Sequence, residues 1–309
     1  MSTVTKPLVS IALLSAAFTA HSSEPLTVYG KANISLQYAD AQETSTDLKS
    51  NASRFGVKGE LALDNGLSAI YQAEFGVDFA DESKEKNVTA RNQYVGLKGG
   101  FGQVRLGRMD TALKLAQGKV DLFNDFNGDI KHLFSGEVRT NDSVTYISPK
   151  FSDFTVGATY ITHEESDKDQ LDSAGLSAAL MYGDSKFKKG SVYAALAFDN
   201  NVKGGDRVRL VAQTKLGSFK LGAILQRQKA EGAEDESGFV VNAAYALDAA
   251  TFKIQYQTID EMIAGDLSTI SIGVDYKLGK STKLYAWLAD EDKALVDVQT
   301  LAVGMEHKF

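Results

Sequence analysis

Residues 28–38 read VYGKANISLQY and alternate in polarity along eleven positions. One phase of this stretch is apolar or small, and the other carries Lys31, Asn33 and Gln37. Because successive side chains of a strand point to opposite faces, this period of two predicts a β-strand with one apolar and one polar face. A strand of this length can cross the hydrocarbon part of a bilayer, which takes about 9 to 11 residues.

The same period returns along the whole chain, and the connections between the alternating segments fall into two classes. Clear later examples of the pattern are 54–63, 67–79, 207–216, 252–257 and 270–278. The predicted tight turns are at 64–66, 99–102, 148–150, 183–190, 217–218, 248–250 and 279–280. The predicted long, charged loops are at 40–50, 80–89, 111–138, 164–171, 200–205, 230–237, 261–267 and 291–296.

These connections predict sixteen strands, with short turns on one side and long loops on the other, although the pattern alone does not separate sixteen strands from fourteen. An even strand number with this asymmetry is typical of an all-β, antiparallel transmembrane barrel. A soluble β-sandwich is the alternative, since it also alternates in polarity. Its strands average about five or six residues, however, and many segments here are longer.

Composition excludes several classes of protein. The chain has 309 residues, a mean hydropathy of −0.18 and, after the N-terminus, no long apolar run, which excludes a multi-span helical membrane protein. The net charge of −7 argues against a nucleic-acid partner. The absence of cysteine excludes disulfides and thiolate zinc sites, and the four histidines are scattered. We therefore expect no metal site, no cofactor and no catalytic residues.

The N-terminal residues predict export. Lys6 precedes an apolar stretch at 8–20, and Ala20 and Ser22 are small residues of the kind that a signal peptidase reads. We predict a signal peptide over 1–22, followed by a single barrel domain over 23–309. A hydrophobic first helix is the alternative, but residues 23–25 (Ser-Glu-Pro) would break it at once.

Five segments of the chain carry a family resemblance: Val28–Ala32, Ser53–Glu60, Arg91–Lys98, Asn141–Pro149 and His307–Phe309. In this order they resemble the Gram-negative general diffusion porins. The last segment, with Phe309 as its terminal aromatic, looks like the signal that the outer-membrane barrel assembly machinery reads. The resemblance implies a sixteen-stranded, water-filled barrel in the Gram-negative outer membrane, surrounded by lipid and lipopolysaccharide. It also implies a homotrimer, and the small residues Gly30 and Ala32 on the outward phase would permit close contact between barrels.

The resemblance further implies that the third long loop, 111–138, folds into the lumen as a constriction loop. Its segment 121–129, DLFNDFNGD, is similar to the constriction-loop sequence of that family, although Asp125 and Asn127 stand where Glu and Gly are usual. The implied acidic side is Asp121, Asp125 and Asp129, and the implied opposing basic wall is Lys31, Arg54, Lys58, Arg91 and Arg139.

The residues themselves support this arrangement. Lys31, Arg54 and Lys58 fall on the polar phase of their strands, which faces the lumen of a barrel. Acids spaced four apart would supply countercharge across the lumen, and opposed charges would set up a transverse field. In the alternative interpretation the three acids form only a solvated loop face.

We therefore predict a passive channel for ions and small hydrophilic solutes, mildly cation-preferring. The alternatives are a channel selective for sugars or oligosaccharides and an outer-membrane barrel enzyme. A sugar channel would show a run of lumen aromatics, and the candidates here are few: Tyr29, Tyr94, Tyr193, Tyr285 and Trp287. An enzyme would need a Ser/His pair with an acid, which the scattered histidines do not provide. Acidic loop residues such as Glu234 and Glu236 could also bind divalent cations that bridge lipopolysaccharide, but solvated loop charge is the favoured interpretation.

Overall fold

The computed structural model describes residues 26–81, 87–162, 174–261, 265–294 and 296–309. The predicted signal peptide at 1–22 and the predicted loop at 164–171 lie outside these residues. The described strands are β1 (Thr27–Asp40), β2 (Ser45–Ser50), β3 (Arg54–Ala62), β4 (Ser68–Val77), β5 (Val88–Gly99), β6 (Gly102–Asp110), β7 (Arg139–Ile147), β8 (Phe154–Ile161), β9 (Gly175–Gly183), β10 (Val192–Asn200), β11 (Gly205–Leu216), β12 (Phe219–Ala230), β13 (Asp235–Leu247), β14 (Ala250–Glu261), β15 (Gly265–Lys277), β16 (Thr282–Asp292) and β17 (Val298–Lys308). A short helix, α1 (Ala112–Ala116), follows β6. None of the helices among the described residues is long and apolar enough to span a membrane.

The strands form one closed antiparallel barrel, because from β3 to β17 each strand pairs with the next and β1 pairs with both β3 and β17. β2 and β3 both pair with β1 and are separated only by residues 51–53, so they are two parts of one barrel strand. Counted in this way the barrel has sixteen strands. The predicted all-β transmembrane barrel is confirmed.

The two faces of the barrel follow the alternation in the sequence. Leu210 and Ile272 point outward and are each 49% exposed, whereas Arg209 and Gln255 on the other face are buried. Exposed aromatic side chains lie close to both rims, as expected where a bilayer meets water. Those near the short turns are Phe101, Phe151, Tyr182, Phe219, Tyr245, Tyr276 and Phe309, and those near the opposite rim include Tyr38, Phe79, Tyr160 and Phe198.

The C-terminal residue completes the closure of the barrel. The backbone N–H of Gly30 donates to the Phe309 carbonyl at 2.9 Å, and the N–H of Phe309 donates back at 3.2 Å. The Phe309 ring covers Gly30, where an added Cβ would lie 2.2 Å from Cζ of the ring. Position 30 therefore requires glycine, because any side chain there would overlap the Phe309 ring of the same chain. That contact replaces the expectation that Gly30 offers an open surface to a neighbouring barrel.

Several connections predicted to be long are short hairpins. Strand β10 ends at Asn200 and β11 begins at Gly205, while β12 ends at Ala230 and β13 begins at Asp235. Some of the charged residues predicted to lie in the second of these loops belong instead to strand β13, such as Asp235, which pairs across the hairpin with Arg227. Charge was thus a poor indicator of loop residues, because strand ends that extend beyond the membrane are also polar. By contrast, residues 111–138 contain no strand and remain the long third connection.

Candidate pore constriction

Residues 111–138, here called L3, form a loop with its own internal structure. Thr111 caps α1, its hydroxyl accepting a hydrogen bond from the Lys114 backbone N–H at 3.3 Å. Farther along, Asp129 caps a single 3₁₀ turn over Ile130–His132. These caps satisfy backbone donors that a loop without strand partners would otherwise leave unpaired.

L3 packs against one half of the lumen, the inward face of β9–β17, which we call the covered wall. Leu113, Val120, Ile130 and Phe134 of L3 are at most 2% exposed and belong to one apolar cluster with this wall. The wall contributes small or branched inward side chains, namely Ala179, Ala195, Ala197, Val211, Ile224, Val240 and Ile259. L3 therefore lies inside the barrel and is held there by a hydrophobic core.

A second apolar cluster holds the tip of L3. The Phe126 ring lies 4.9 Å from the ring of Tyr285 and 5.6 Å from that of Trp287. Phe123 is fully buried in the same cluster. The hydroxyl of Tyr193, in the first cluster, donates to the Ala116 carbonyl at 2.8 Å. Three of the five lumen-phase aromatics thus anchor the loop.

The two other lumen-phase aromatics lie beside cations. The Lys58 ammonium is 5.0 Å from the ring centre of Tyr29, and the Arg105 guanidinium is 4.8 Å from that of Tyr94. None of the five predicted aromatics therefore contributes to a continuous aromatic track along the lumen.

Amide side chains of the covered wall bind the backbone of L3. Gln255 donates to the Gly128 carbonyl at 2.9 Å, and Asn242 donates to the Val120 carbonyl at 2.8 Å. Gln213 and Gln226 bind the carbonyls of L3 in the same way, at Lys119 and Ser135. A polar inward residue on this wall is thus often a partner of the loop rather than a pore-lining group.

The three L3 acids have different surroundings. Asp125, at a positive φ of 75°, binds Lys31 at 2.9 Å. Asp129 is 1% exposed and accepts from the backbone N–H groups of Asp125 (2.8 Å) and Lys131 (2.9 Å). The expectation that Asp129 faces the pore is therefore wrong, because the irregular backbone of the loop uses this carboxylate as its hydrogen-bond acceptor.

Asp121 is likewise bound within L3. Its carboxylate accepts from the N–H of Phe123 at 2.9 Å and of Ile130 at 3.2 Å, and it borders the open lumen. Burial, and next the nearby Asp129 carboxylate, raise the pKa of Asp121.

The five predicted basic residues also separate into classes. Arg91 binds Glu74 at 2.7 Å and Arg139 binds Asp110 at 3.1 Å. Among the described residues, Arg54 and Lys58 have no carboxylate partner. Lys31 is 7% exposed in its side chain and is neutralised by Asp125, so it holds the tip of L3 instead of lining the open lumen.

A cavity of about 540 Å³ remains between L3 and the inward face of β3–β7, which we call the open wall. Its charged lining consists of seven basic side chains and three acidic ones. They are Arg54, Lys58, Arg91, Lys114, Lys119, Arg139 and Lys186, with Glu74, Asp110 and Asp121. This excess of positive charge does not support the expected mild cation preference.

Three of these cations, Lys114, Lys119 and Lys186, are not among the basic residues that the sequence predicts for the pore. Lys114 and Lys119 lie in L3, whose predicted pore residues are acidic, and Lys186 lies in a predicted tight turn. The lysine-rich composition of 186–189 was the available signal, but nothing local indicates that Lys186 reaches the lumen.

Comparison with known proteins agrees with this architecture. The sequence model of the family described as Gram-negative porin matches residues 9–293. Outer membrane porin protein 32 of Delftia acidovorans is 27% identical, over 96% of this chain and 93% of that protein. The monosaccharide porin of a Halomonas species is 25% identical, over 78% and 73%. The solved anion-selective porin from Comamonas acidovorans superposes with a TM-score of 0.79, at 22% identity, over 93% of this chain and 100% of that one.

Proposed function

Because this chain belongs to the Gram-negative porin family and is an outer-membrane channel protein, we propose that it conducts ions and small hydrophilic solutes passively, with a weak preference for anions. The observation that carries the preference is the charged lining of the open cavity, seven basic side chains against three acidic ones. The Comamonas porin to which the fold is similar is described as anion-selective.

The basic side chains differ in how much charge they offer to a passing ion. Arg91, Arg139 and Lys114 share the two carboxylates of Glu74 and Asp110, at distances of 2.7 to 3.3 Å. Arg54 and Lys58 have no such partner among the described residues, so their charge is available to solute. A positive lining raises the local concentration of anions in a narrow aqueous passage.

The geometry favours general diffusion over a sugar-specific channel. Tyr193, Tyr285 and Trp287 are at most 4% exposed because they hold L3, so they cannot stack on a sugar ring. The Halomonas relative is named a monosaccharide porin, which makes sugar an informative second solute.

Planar bilayer recordings test the proposal. We expect a reversal potential of anionic sign in a KCl gradient, and an effect that weakens as salt rises, since the Debye length falls from about 10 Å at 0.1 M to about 3 Å at 1 M. Glucose or maltose should not block the current. A cationic reversal potential would overturn the anion preference, and block by sugar at micromolar concentration would overturn general diffusion.

We also propose that residues 1–22 are a signal peptide removed after Ser22, leaving the barrel domain 23–309, and that the mature protein is a homotrimer in contact with lipopolysaccharide. The N-terminal sequence of the mature protein tests the cleavage site. Chemical cross-linking in outer membranes tests the trimer, and recovery of monomer alone would contradict it.

The C-terminal strand is proposed as the segment that the barrel assembly machinery reads. Phe309 is 60% exposed and lies on the same outward phase as Met305, Val303 and Leu301. Its backbone is hydrogen-bonded to that of Gly30. Phe309→Ser should lower outer-membrane levels while export continues. Phe219→Ser, another exposed aromatic near the same rim, is the matched control and should assemble at closer to the normal level.

A further inference from the structure

The connection between β9 and β10, residues 184–191, is the longest of the described short-side turns. Asp184 organises it, accepting from the backbone N–H of Lys186 at 2.9 Å and of Lys188 at 3.0 Å. Elsewhere on this side, the turns at 217–218 and 248–249 contain only two residues each. This turn therefore has more chain than a hairpin needs.

The extra residues of the turn contact L3. Phe187 packs against the apolar cluster that holds L3 to the covered wall. Gly118 of L3 has a positive φ of 65°, and a Cβ added there would lie 2.7 Å from Cβ of Ser185 and 2.8 Å from Cε1 of Tyr193. The turn and the loop thus meet closely inside the barrel.

This contact brings two cations to the same cavity. Lys186 from the turn and Lys119 from L3 both line it, both are exposed, and neither ammonium has a carboxylate partner among the described residues. Partial desolvation of its ammonium inside the lumen, and next the charges of Lys186 and Arg54, lower the pKa of Lys119, as expected for cations that lie near one another.

We propose that Lys186 and Lys119 form a second selectivity element, on the turn side of the constriction, that favours small divalent oxyanions such as sulfate and hydrogen phosphate over chloride. Two uncompensated ammonium groups attract a divalent anion more strongly than a monovalent one, because the Coulomb energy scales with the charge of the ion. Short turns of these barrels face the periplasm, so the element lies where a solute leaves the constriction. This inference rests on the proposed anion preference.

The experiment measures permeability for sulfate relative to chloride, from reversal potentials with K₂SO₄ on one side of a planar bilayer and KCl on the other. We expect Lys186→Gln and Lys119→Gln each to lower the sulfate-to-chloride ratio about twofold. One unit charge at roughly 10 Å in water changes the local concentration of a monovalent anion about twofold, and that of a divalent anion by the square of that factor, so their ratio falls about twofold. The double variant should lower it further. Lys188→Gln, on the same turn but outside the cavity lining, is the matched control.

Phe187→Ala tests the role of the turn itself without changing any charge. Loss of its packing should release the turn and lower the ratio in the same direction as Lys186→Gln. Heat-modifiable mobility on gels verifies that each variant is a folded barrel.

The proposal is overturned if folded Lys186→Gln channels keep the parent ratio, or if Lys188→Gln lowers it equally. Failure of the underlying anion preference gives a different result, because the unmodified channel would then show a cationic reversal potential in a simple KCl gradient.

Discussion

The two walls of the lumen differ in what their inward side chains do. On the covered wall they are mainly alanine, valine, isoleucine and glutamine, and they bind L3 through two apolar clusters and a set of amide hydrogen bonds. On the open wall they are arginine, lysine, glutamate and asparagine, and they line a cavity. Both walls belong to the same continuous sheet, with the same alternation.

The difference shows that the inward phase of a barrel strand has two possible uses. Where inward residues are small and apolar, a loop can dock and exclude water, with a gain of about 25 cal/mol per Å² of apolar surface buried. Where they are charged, docking a loop would cost desolvation, so water remains and the charges act on solute. One wall therefore places the loop, and the other sets the selectivity of the passage left beside it.

The largest expected effect comes from removing the docking of L3. Phe123→Ala deletes a fully buried ring and should destabilise the docked loop by about 3 to 5 kcal/mol. We expect larger and noisier single-channel conductance, because a released loop would block less of the lumen. Phe219→Ala, on the outward face, removes the same ring and should leave conductance unchanged. Equal conductance of the two variants would show that L3 does not limit the current.

A paired substitution of arginines separates the roles of the two walls. Arg209 is fully buried on the covered wall and bound to Glu137 and Gln226, so Arg209→Gln should cost about 3 to 5 kcal/mol and lower the thermal unfolding temperature. Arg54→Gln, on the open wall, should leave stability nearly unchanged and move the reversal potential toward cations, with about a twofold change in ion permeability. The reverse pattern would contradict the division between the walls.

The loop acids give a smaller contrast. Asp129→Asn removes one carboxylate oxygen from a buried site that binds two backbone N–H groups, and should destabilise docking by about 1 to 3 kcal/mol without shifting selectivity. Asp125→Asn should move the reversal potential slightly toward anions, since it uncovers Lys31, whose side chain is only 7% exposed. A large selectivity shift from Asp129→Asn would place that carboxylate in the ion path.

The smallest expected effect is a pH dependence of L3 docking through Asp121. Burial and the Asp129 carboxylate raise the pKa of Asp121 in the docked loop above the ordinary value of 3.8, which applies to a released loop. As pH rises above 3.8, Asp121 therefore ionises in the released loop at a lower pH than in the docked loop. Docking should therefore weaken as pH rises through the interval between the two values, and stay constant below it. Conductance noise recorded from pH 4 to 8 should increase with pH in the parent channel and change less in Asp121→Asn. Identical noise profiles would exclude Asp121 as the titrating group.

Much of the fold could be predicted from the sequence, because a period of two is a local property of the chain. The segment 28–38 already separates an inward from an outward face, and the turns at 217–218 and 248–250 were placed correctly. Loop lengths were predicted less well, because charged residues occupy strand ends above the membrane as well as loops. The short hairpin between Ala230 and Asp235 is an example.

The candidate site was predicted in part. Arg54 and Lys58 line the cavity, as their strand phase indicates, and Arg91 and Arg139, which the family resemblance implies, line it as well. The apolar residues on both phases of 193–198 could have indicated that this wall is covered on its inner side as well. The contacts of each L3 acid could not be predicted from the sequence, because the path of the loop determines whether a carboxylate faces solvent or accepts a hydrogen bond from a backbone N–H.

The sequence by itself determined the strand phase, the closed barrel and the family, since alternation and motif order are encoded along the chain. Only the tertiary structure decided which wall L3 covers and that Lys119 and Lys186 line one cavity. It also decided that Asp129 accepts hydrogen bonds from the backbone of L3, whereas Asp125 forms an ion pair with Lys31. These contacts join residues far apart in the chain, as the 94-residue separation between Lys31 and Asp125 illustrates. Their geometry is fixed by how apolar and polar groups are satisfied together in three dimensions, and no local pattern records that outcome.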